Sequence, residues 1–200
     1  MPVMNDDEPQ LIERAKRGNL DAFNILVQRY QDGVFTLTYR LLGDSARAAD
    51  AAQDAFIQAY RRLDSYRGGS FKAWLFRIAT NRSYDDLRKQ QRHPTMSIEQ
   101  PGDDGEVEPL EIADSGDSPE GVALQRELQR AIQACINALS PEQKLILVLA
   151  DIEELPYETI AEQTNTKAGT VKSRLSRARA SVRDCLQAAK ELLPDAFRLK

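Results

Sequence analysis

The chain has 200 residues, of which 42% are hydrophobic and 29% charged, and its formal net charge is −4. This composition predicts a globular protein with one large or two small cores, and no apolar run is long enough to span a membrane. Residues 1–10 are acidic and polar and carry no pattern of a secretion signal, so we expect a cytoplasmic protein.

The N-terminal half predicts three long helices after an extension and first turn at residues 1–20. The first helix is expected to be capped by Asp21 and to end at Gly43. Its apolar face comprises Phe23, Leu26, Val27, Tyr30, Val34, Leu37 and Leu41. The second helix, from about Ser45 to Leu63, is expected to bury Ala49, Ala52, Phe56, Tyr60 and Leu63. An outward strip then remains on this helix, made of Asp50, Asp54, Ile57 and Arg61.

The third helix, from Ser70 to Gln91, combines an apolar face with a cationic surface. The side chains expected inside are Phe71, Trp74, Leu75 and Ile78. For Trp74 we favour this core position over a role as a wedge between bases. Six cations lie on or just beyond the helix, opposed only by Asp85 and Asp86: Lys72, Arg77, Arg82, Arg88, Lys89 and Arg92.

An acidic segment, residues 94–123, follows the third helix. It is rich in Pro and Gly and has no helical or strand periodicity, which predicts a disordered linker. Nine of the chain's 31 acidic residues fall between residues 94 and 125, where there is no Lys or Arg. The remainder of the chain therefore carries 27 basic and 22 acidic side chains, so outside this segment the net charge is positive.

The C-terminal part predicts four further helices. The first runs from Leu124 to Leu139, and Ser140 begins the next with a capping box. The core face of that second helix is Leu145, Val148, Leu149 and Ile152. No stretch alternates convincingly as a strand. We therefore predict an all-α fold of two small helical domains joined by a flexible acidic linker.

The last two helices, between Leu155 and Arg183, predict a helix-turn-helix. The first begins near Pro156, ends at Thr164, and buries Tyr157, Ile160 and Ala161. In the turn, Asn165 is expected in the left-handed conformation and Thr166 as the cap of the second helix. The second helix, Thr170 to Arg183, has an apolar stripe of Val171, Leu175, Ala178 and Val182.

The face opposite this stripe is small, polar and cationic, which suits the major groove of DNA. It comprises Ser173, Ser176, Arg177 and Ala180, flanked by Lys172 and Arg183. The alternative interpretation is a solvated basic helix in an ordinary bundle.

The sequence contains little that points to metal, redox or enzymatic chemistry. The two cysteines, Cys135 and Cys185, are too few and too far apart in sequence to predict a metal knuckle or a disulfide framework. Cys135 continues an apolar stripe, so packing is its predicted role. His93 is the only histidine, and no carboxylate cluster has metal-ligand spacing. We predict no cofactor, no metal site and no catalytic residues.

Four segments, in order, resemble the extracytoplasmic-function (ECF) group of bacterial RNA polymerase sigma factors. They are residues 50–56 (DAAQDAF), 71–81 (FKAWLFRIATN), 155–161 (LPYETIA) and 169–179 (GTVKSRLSRAR). The resemblance spans about Asp21 to Leu186 and implies a sigma region 2 domain at 21–93, the linker at 94–123, a region 4 domain at 124–187 and a tail at 188–200. Such a protein binds core RNA polymerase, recognises promoter DNA and promotes strand opening, while the polymerase catalyses RNA synthesis.

In the region 2 domain the resemblance implies two surfaces. A strip on the second helix would dock on the coiled coil of the largest polymerase subunit. Its residues are Asp50, Gln53, Asp54, Ile57 and Arg61. The alternative interpretation is a plain solvated helix face. The third helix would bind the minus-ten element through Lys72, Arg77, Asn81, Arg82, Tyr84 and Arg88. Asn81 matches the position that helps take up a flipped base, although it could equally be a helix cap.

In the region 4 domain the matching positions would read the minus-thirty-five element: Thr170, Lys172, Ser173, Arg174, Ser176, Arg177 and Arg179. Arg177 could pair bidentately with a guanine, whereas Arg174 and Arg179 suit phosphates better. Many relatives have Gly where this chain has Asn165 and an apolar residue where it has Thr166, which leaves the tilt of the recognition helix open.

The resemblance also implies an anti-sigma partner. A stand-alone helix-turn-helix regulator is the alternative function, but it leaves residues 50–92 without a role. A nucleic-acid enzyme ranks last. From the charge distribution we further hypothesise that the acidic linker competes with DNA for the basic faces, or merely solubilises the chain.

Overall fold

The computed structural model describes residues 7–92 and 119–188. Every regular element in these two ranges is a helix, which confirms the predicted all-α class. The chain divides into two compact units, Met1–Thr95 and Met96–Lys200. Residues 94–118 of the predicted linker and 189–200 of the predicted tail lie outside the described residues.

The described residues of unit 1, 7–92, form four helices and one short 3-10 turn. The helices are α1 (Glu8–Lys16), α2 (Leu20–Leu42), α3 (Ser45–Arg61) and α4 (Phe71–Arg92), and the turn, Leu63–Ser65, follows α3. The three long helices all contact one another, and α1 packs on α2. Gly43 ends α2 in the left-handed conformation, with φ of 74°, as a helix-ending glycine should.

The first helix corrects the prediction of a mere extension at residues 1–20. Leu11, Ile12 and Ala15 are buried on one side of α1, and the Tyr30 hydroxyl on α2 donates a hydrogen bond to the Glu8 carboxylate. With only nine residues, α1 is too short for a clear period in the sequence. The cap of α2 also differs: the Asn19 side chain accepts from the Ala22 amide at 2.9 Å, and Asp21 lies within the first turn.

The buried face of α3 is rotated from the predicted one. Its fully buried residues are alanines, Ala48, Ala51, Ala52, Ala55 and Ala59, whereas Ala49 is exposed. Phe56 and Tyr60 are only half-buried, and the Tyr60 ring meets that of Phe23 at 4.9 Å. The prediction placed the large aromatic residues on the buried face, but small side chains let α3 approach α2 and α4 closely. At the α2–α3 crossing, the buried Thr38 hydroxyl lies 3.0 Å from the Ala48 carbonyl oxygen.

Unit 2 contains α5 (Pro119–Asn137), α6 (Pro141–Leu147), a π-helical turn (Val148–Ile152), α7 (Tyr157–Thr164) and α8 (Ala168–Ala188). Over residues 119–188 these four α-helices match the predicted number. The Ser140 side chain caps α6, as predicted, by accepting from the Gln143 amide. Residues 119–123, which the prediction placed in the linker, belong to α5. The prediction took Pro119 and Gly121 as signs of a linker, but a proline is readily accommodated in the first turn of a helix.

The two cysteines correct the sequence prediction most sharply. Cys135 on α5 and Cys185 on α8 form a disulfide, with Cα atoms 5.7 Å apart although the residues are 50 apart in sequence. The prediction treated sequence distance as spatial distance, but α5 and α8 are packing neighbours. Cys135 is also buried, at 2% exposure, as its apolar stripe predicted.

Candidate nucleic-acid and polymerase interfaces

The predicted polymerase-binding residues all lie exposed on α3, and we call this set the α3 strip: Asp50, Gln53, Asp54, Ile57 and Arg61. Their spacing of three and four residues keeps them on one side of the helix. Ile57 is 43% exposed, and it is the large aliphatic side chain of this strip.

An apolar groove adjoins one end of the α3 strip. Its volume is about 250 Å³, and it is lined by Leu20, Phe23, Phe56, Ile57, Tyr60 and Arg61. Leu20 is 58% exposed at the start of α2. The sequence prediction missed Leu20 because it assigned that residue to the N-terminal extension, so an exposed apolar residue carried no signal there.

Four of the six predicted melting-site residues share one face of α4, which we call the α4 stripe: Arg77, Asn81, Tyr84 and Arg88. Successive members are three or four residues apart, so they stack along the helix. Three are exposed, and Tyr84 is half-buried. Asn81 lies ten residues inside α4, so the alternative role as a helix cap is wrong.

The other two melting-site residues lie off the α4 stripe. The Lys72 ammonium sits 5.1 Å from the centre of the Phe76 ring. The Arg82 guanidinium points toward α3, where its Nη2 lies 3.7 Å from Oδ2 of Asp54. Trp74, predicted in the core, is half-buried and packs its ring against those of Tyr66 and Phe71 at 5.5 Å.

The helix-turn-helix is formed by α7 and α8. Asn165 ends α7 in the left-handed conformation, with φ of 51° and ψ of 45°, which confirms its predicted role. Thr166 does not cap α8: its amide donates to the Ala161 carbonyl, and its hydroxyl bonds that of Thr164. The Lys167 carbonyl instead accepts the first helical bonds of α8, because the helix begins two residues earlier than predicted.

The outward surface of α8 carries four predicted base-reading residues, which we call the α8 face: Lys172, Ser173, Ser176 and Arg177. All four are exposed, while Val171, Leu175 and Ala178 are buried behind them. Among the described residues, neither Lys172 nor Arg177 has an ionic partner. Thr170 is half-buried at the edge of this face, and its carbonyl accepts from the Ser173 hydroxyl.

Two arginines beside the α8 face are held by carboxylates within the unit. Arg174 Nη2 lies 2.8 Å from Oε2 of Glu142 on α6. Arg179 binds Asp151 in the π-helical turn through two bonds, of 2.9 Å from Nε and 2.6 Å from Nη2, and this hydrogen bonding raises the pKa of Arg179. Both arginines were predicted as phosphate contacts, but their geometry braces α8 against its neighbours. Neither Glu142 nor Asp151 could be identified from the sequence as a partner of these arginines.

Two kinds of feature are absent from the described parts of the chain. No group of three or more histidine, cysteine, aspartate or glutamate side chains is arranged to hold a metal ion within them. None of their helices is both long enough and apolar enough to cross a bilayer.

Comparison with known proteins identifies both units. A family model described as Sigma-70 region 2 matches residues 26–93, and one described as Sigma-70, region 4 matches residues 129–182. The chain is 37% identical over 177 residues to the ECF RNA polymerase sigma factor SigW of Bacillus subtilis, covering 88% of this chain and 95% of that one. It is 37% identical over 184 residues to the ECF RNA polymerase sigma-E factor of Escherichia coli K12, covering 88% and 93%.

A solved structure agrees with these relatives. The sigma factor RpoE of Bartonella quintana, in complex with the anti-sigma factor NepR, is 27% identical, with a TM-score of 0.62 over 82% of this chain and 96% of that one. The region 2 match accounts for residues that a stand-alone helix-turn-helix regulator would leave without a role. The chain therefore belongs to the ECF RNA polymerase sigma factors, and it is a promoter-recognising transcription initiation factor.

Proposed function

We propose that this sigma factor divides its work among three surfaces. The α3 strip and its apolar groove bind the coiled coil of the largest polymerase subunit, the α4 stripe holds the opened minus-ten element, and the α8 face reads the minus-thirty-five element. The chain itself catalyses no reaction, since RNA synthesis is the work of the polymerase. It acts in the cytoplasm, where polymerase and chromosome are located.

Polymerase binding by the α3 strip is supported by its composition. Two carboxylates and a guanidinium surround the exposed Ile57, and the groove beside it exposes apolar surface. Protein interfaces combine an apolar centre with a polar rim in this way. An anti-sigma factor that covered the same surface would block polymerase binding, and we assign such a regulatory partner to this chain because the matched Bartonella sigma factor was solved with one.

Strand capture by the α4 stripe is the part of the proposal that geometry supports best. The single observation that carries it is the alignment of Arg77, Asn81 and Tyr84 along one accessible face of α4. Together they supply a cation for phosphate, a carboxamide for a base edge and an aromatic ring for stacking. These are the groups that single-stranded DNA requires once the duplex has opened.

Base reading by the α8 face is supported by the ion pairs of the other cations on this helix. Arg174, Arg179 and Arg183 each contact a carboxylate, so among the described residues of this helix Lys172 and Arg177 are the cations without an ionic partner. A guanidinium can bind both acceptors of a guanine in the major groove, whereas the hydroxyls of Ser173 and Ser176 make shorter and more permissive contacts.

The proposal is tested by transcription with purified core polymerase and a library of promoters randomised in both elements. We expect Arg177→Ala to change the preferred upstream bases and Asn81→Ala to reduce strand opening, measured by the reactivity of unpaired thymines. If neither variant changes base preference or opening, the assigned roles are wrong. A gel shift without polymerase is the control, because a stand-alone regulator would bind its operator tightly in that assay.

A further inference from the structure

The disulfide between Cys135 and Cys185 joins a buried part of α5, where Ile136 and Leu139 lie beside Cys135, to a part of α8 that has few buried side chains. All fully buried residues of α8, namely Val171, Leu175 and Ala178, precede residue 179. From 179 to 188 every side chain is exposed or only half-buried. The bond therefore anchors the second half of α8, where hydrophobic packing is weakest, to α5.

The two cysteine residues differ in their exposure to solvent. Cys135 is 2% exposed within unit 2, whereas Cys185 is half-buried near the exposed end of α8. Thiol–disulfide exchange requires that the attacking thiolate reach a sulfur atom in line with the bond that breaks. Only Cys185 offers such access to a partner in solution.

We propose that Cys135 and Cys185 form a reversible redox site that reacts with low-molecular-weight disulfides and thiols, with Cys185 as the residue that meets the reagent. In oxidation, the Cys185 thiolate attacks a disulfide RSSR, and a mixed disulfide forms as one RS⁻ leaves. The Cys135 thiolate then attacks the Cys185 sulfur and releases the second RS⁻. The protein loses two electrons and two protons, and RSSR becomes two RSH. Reduction follows the same steps in reverse.

Two arguments favour reversibility over a permanent structural bond. Disulfides of cytoplasmic proteins in mesophilic organisms are mostly transient or redox-sensing, and the cytoplasm is the location proposed above. In addition, a bond whose outer sulfur is accessible exchanges with solution thiols, whereas a fully buried bond does not. This inference does not depend on which residues of α4 or α8 contact DNA.

The expected structural effect is local. Arg177, the member of the α8 face nearest to Cys185, lies eight residues away, or about 12 Å along the helix axis. Between them, the Arg179–Asp151 ion pair holds α8 on the π-helical turn. Reduction should therefore loosen residues 179–188 and the facing part of α5, and leave the α8 face in place.

The entry point is tested with two matched variants of the full chain, each incubated with glutathione disulfide and analysed by intact mass. We expect Cys135→Ser to acquire one glutathione at Cys185, and Cys185→Ser to react at least about tenfold more slowly because Cys135 is buried. Circular dichroism verifies that both variants fold. Equal reaction rates in two folded variants would overturn the assignment of Cys185.

Reversibility is tested on the unaltered chain. In mixtures of reduced and oxidised glutathione, we expect the folded protein to interconvert between its dithiol and disulfide forms, counted by thiol alkylation and mass. A bond that remains closed in reduced glutathione until the protein unfolds would overturn the proposal.

The structural consequence is measured by hydrogen exchange on the oxidised and reduced chains. We expect oxidation to protect the amides of residues 179–188 and to leave those of residues 170–177 unchanged. The melting temperature of unit 2 should rise on oxidation by about 10 °C, since a closed loop of this length restricts the unfolded chain. The Cys135→Ser and Cys185→Ser variants should show neither change. Identical exchange in the two states of the unaltered chain would contradict the proposed anchoring.

Discussion

Arg82 Nη2 on α4 lies 3.7 Å from Oδ2 of Asp54 on α3, so a predicted DNA-binding cation and a member of the α3 strip form one ion pair. Both side chains are accessible, at 35% and 59% exposure. An exposed pair of this kind contributes less than about 1 kcal/mol to stability. Its interest is that it links the two proposed surfaces of unit 1.

Asp54→Asn removes the charge that this ion pair and the proposed polymerase contact share. We expect weaker binding to core polymerase, by roughly tenfold, with a change in unfolding free energy below about 1 kcal/mol. Fluorescence anisotropy of the labelled sigma factor measures the first quantity, and thermal denaturation the second. The matched control is Asp64→Asn, an exposed carboxylate outside the α3 strip. Equal losses of polymerase affinity in both variants would contradict the prediction.

Asn81→Ala removes the carboxamide at the centre of the α4 stripe. We expect it to slow strand opening by roughly tenfold, the loss of about one good hydrogen bond, while polymerase binding stays unchanged. Opening is followed with a fluorescent base analogue in the minus-ten element. Gln31→Ala serves as the control, because it removes an exposed carboxamide from α2. If opening is unaffected by Asn81→Ala, the α4 stripe does not hold the base.

Arg177→Ala should cost about 1–3 kcal/mol in binding to the preferred minus-thirty-five element and relax the preference at one position. The physical reason is that a bidentate guanidinium–guanine contact cannot be replaced by a methyl group. Competition between promoter fragments in the presence of polymerase measures the preference. Arg130→Ala is the comparison, because it removes an exposed cation from α5, a different helix of the same unit. A uniform loss over all sequences would make Arg177 a phosphate contact instead.

Asp151→Asn should remove the negative charge beside Arg179 and one of the two acceptors that its guanidinium uses. Because Arg179 is 55% exposed, we expect a loss of only about 1 kcal/mol in the stability of unit 2. A less firmly held α8 should weaken upstream binding for all sequences without changing the preferred bases. Calorimetry and the same promoter competition measure both effects. A new base preference would mean that Arg179 reads DNA directly.

The linker hypothesis from the sequence can also be tested. Replacing the nine acids between residues 94 and 125 with their amides should raise the affinity of the free chain for promoter DNA, most strongly at low salt. Filter binding over a range of salt concentrations measures this. Unchanged affinity at both low and physiological salt would leave the segment a merely solubilising linker.

The sequence predicted those parts of the fold that depend on local signals. Gly43 and Ser140 mark helix ends through backbone and capping chemistry, and Val171, Leu175 and Ala178 form a stripe because they recur at the helical period on one side of α8. The α8 face could be predicted for the same reason. All of these depend on residues close together in the chain.

Features that depend on contacts between distant segments could not be predicted in this way. The sequence suggested an aromatic face for α3, but the helix is packed on two sides through alanines, whose burial is visible only once α2 and α4 are in place. Likewise, the partners of Arg174 and Arg179 come from α6 and the π-helical turn. The pairing of Cys135 with Cys185 requires the proximity of α5 and α8.

The inward alanines of α3 limit how this protein can evolve. A methyl group is the largest side chain between the α3 backbone and its neighbours at Ala48, Ala55 and Ala59, each of which has no exposed surface. A bulkier residue could not relax toward solvent, and it would have to push a whole helix aside. New promoter preferences can therefore arise by exchanging outward side chains on α4, while the methyl groups that α3 packs against α2 and α4 must stay unchanged.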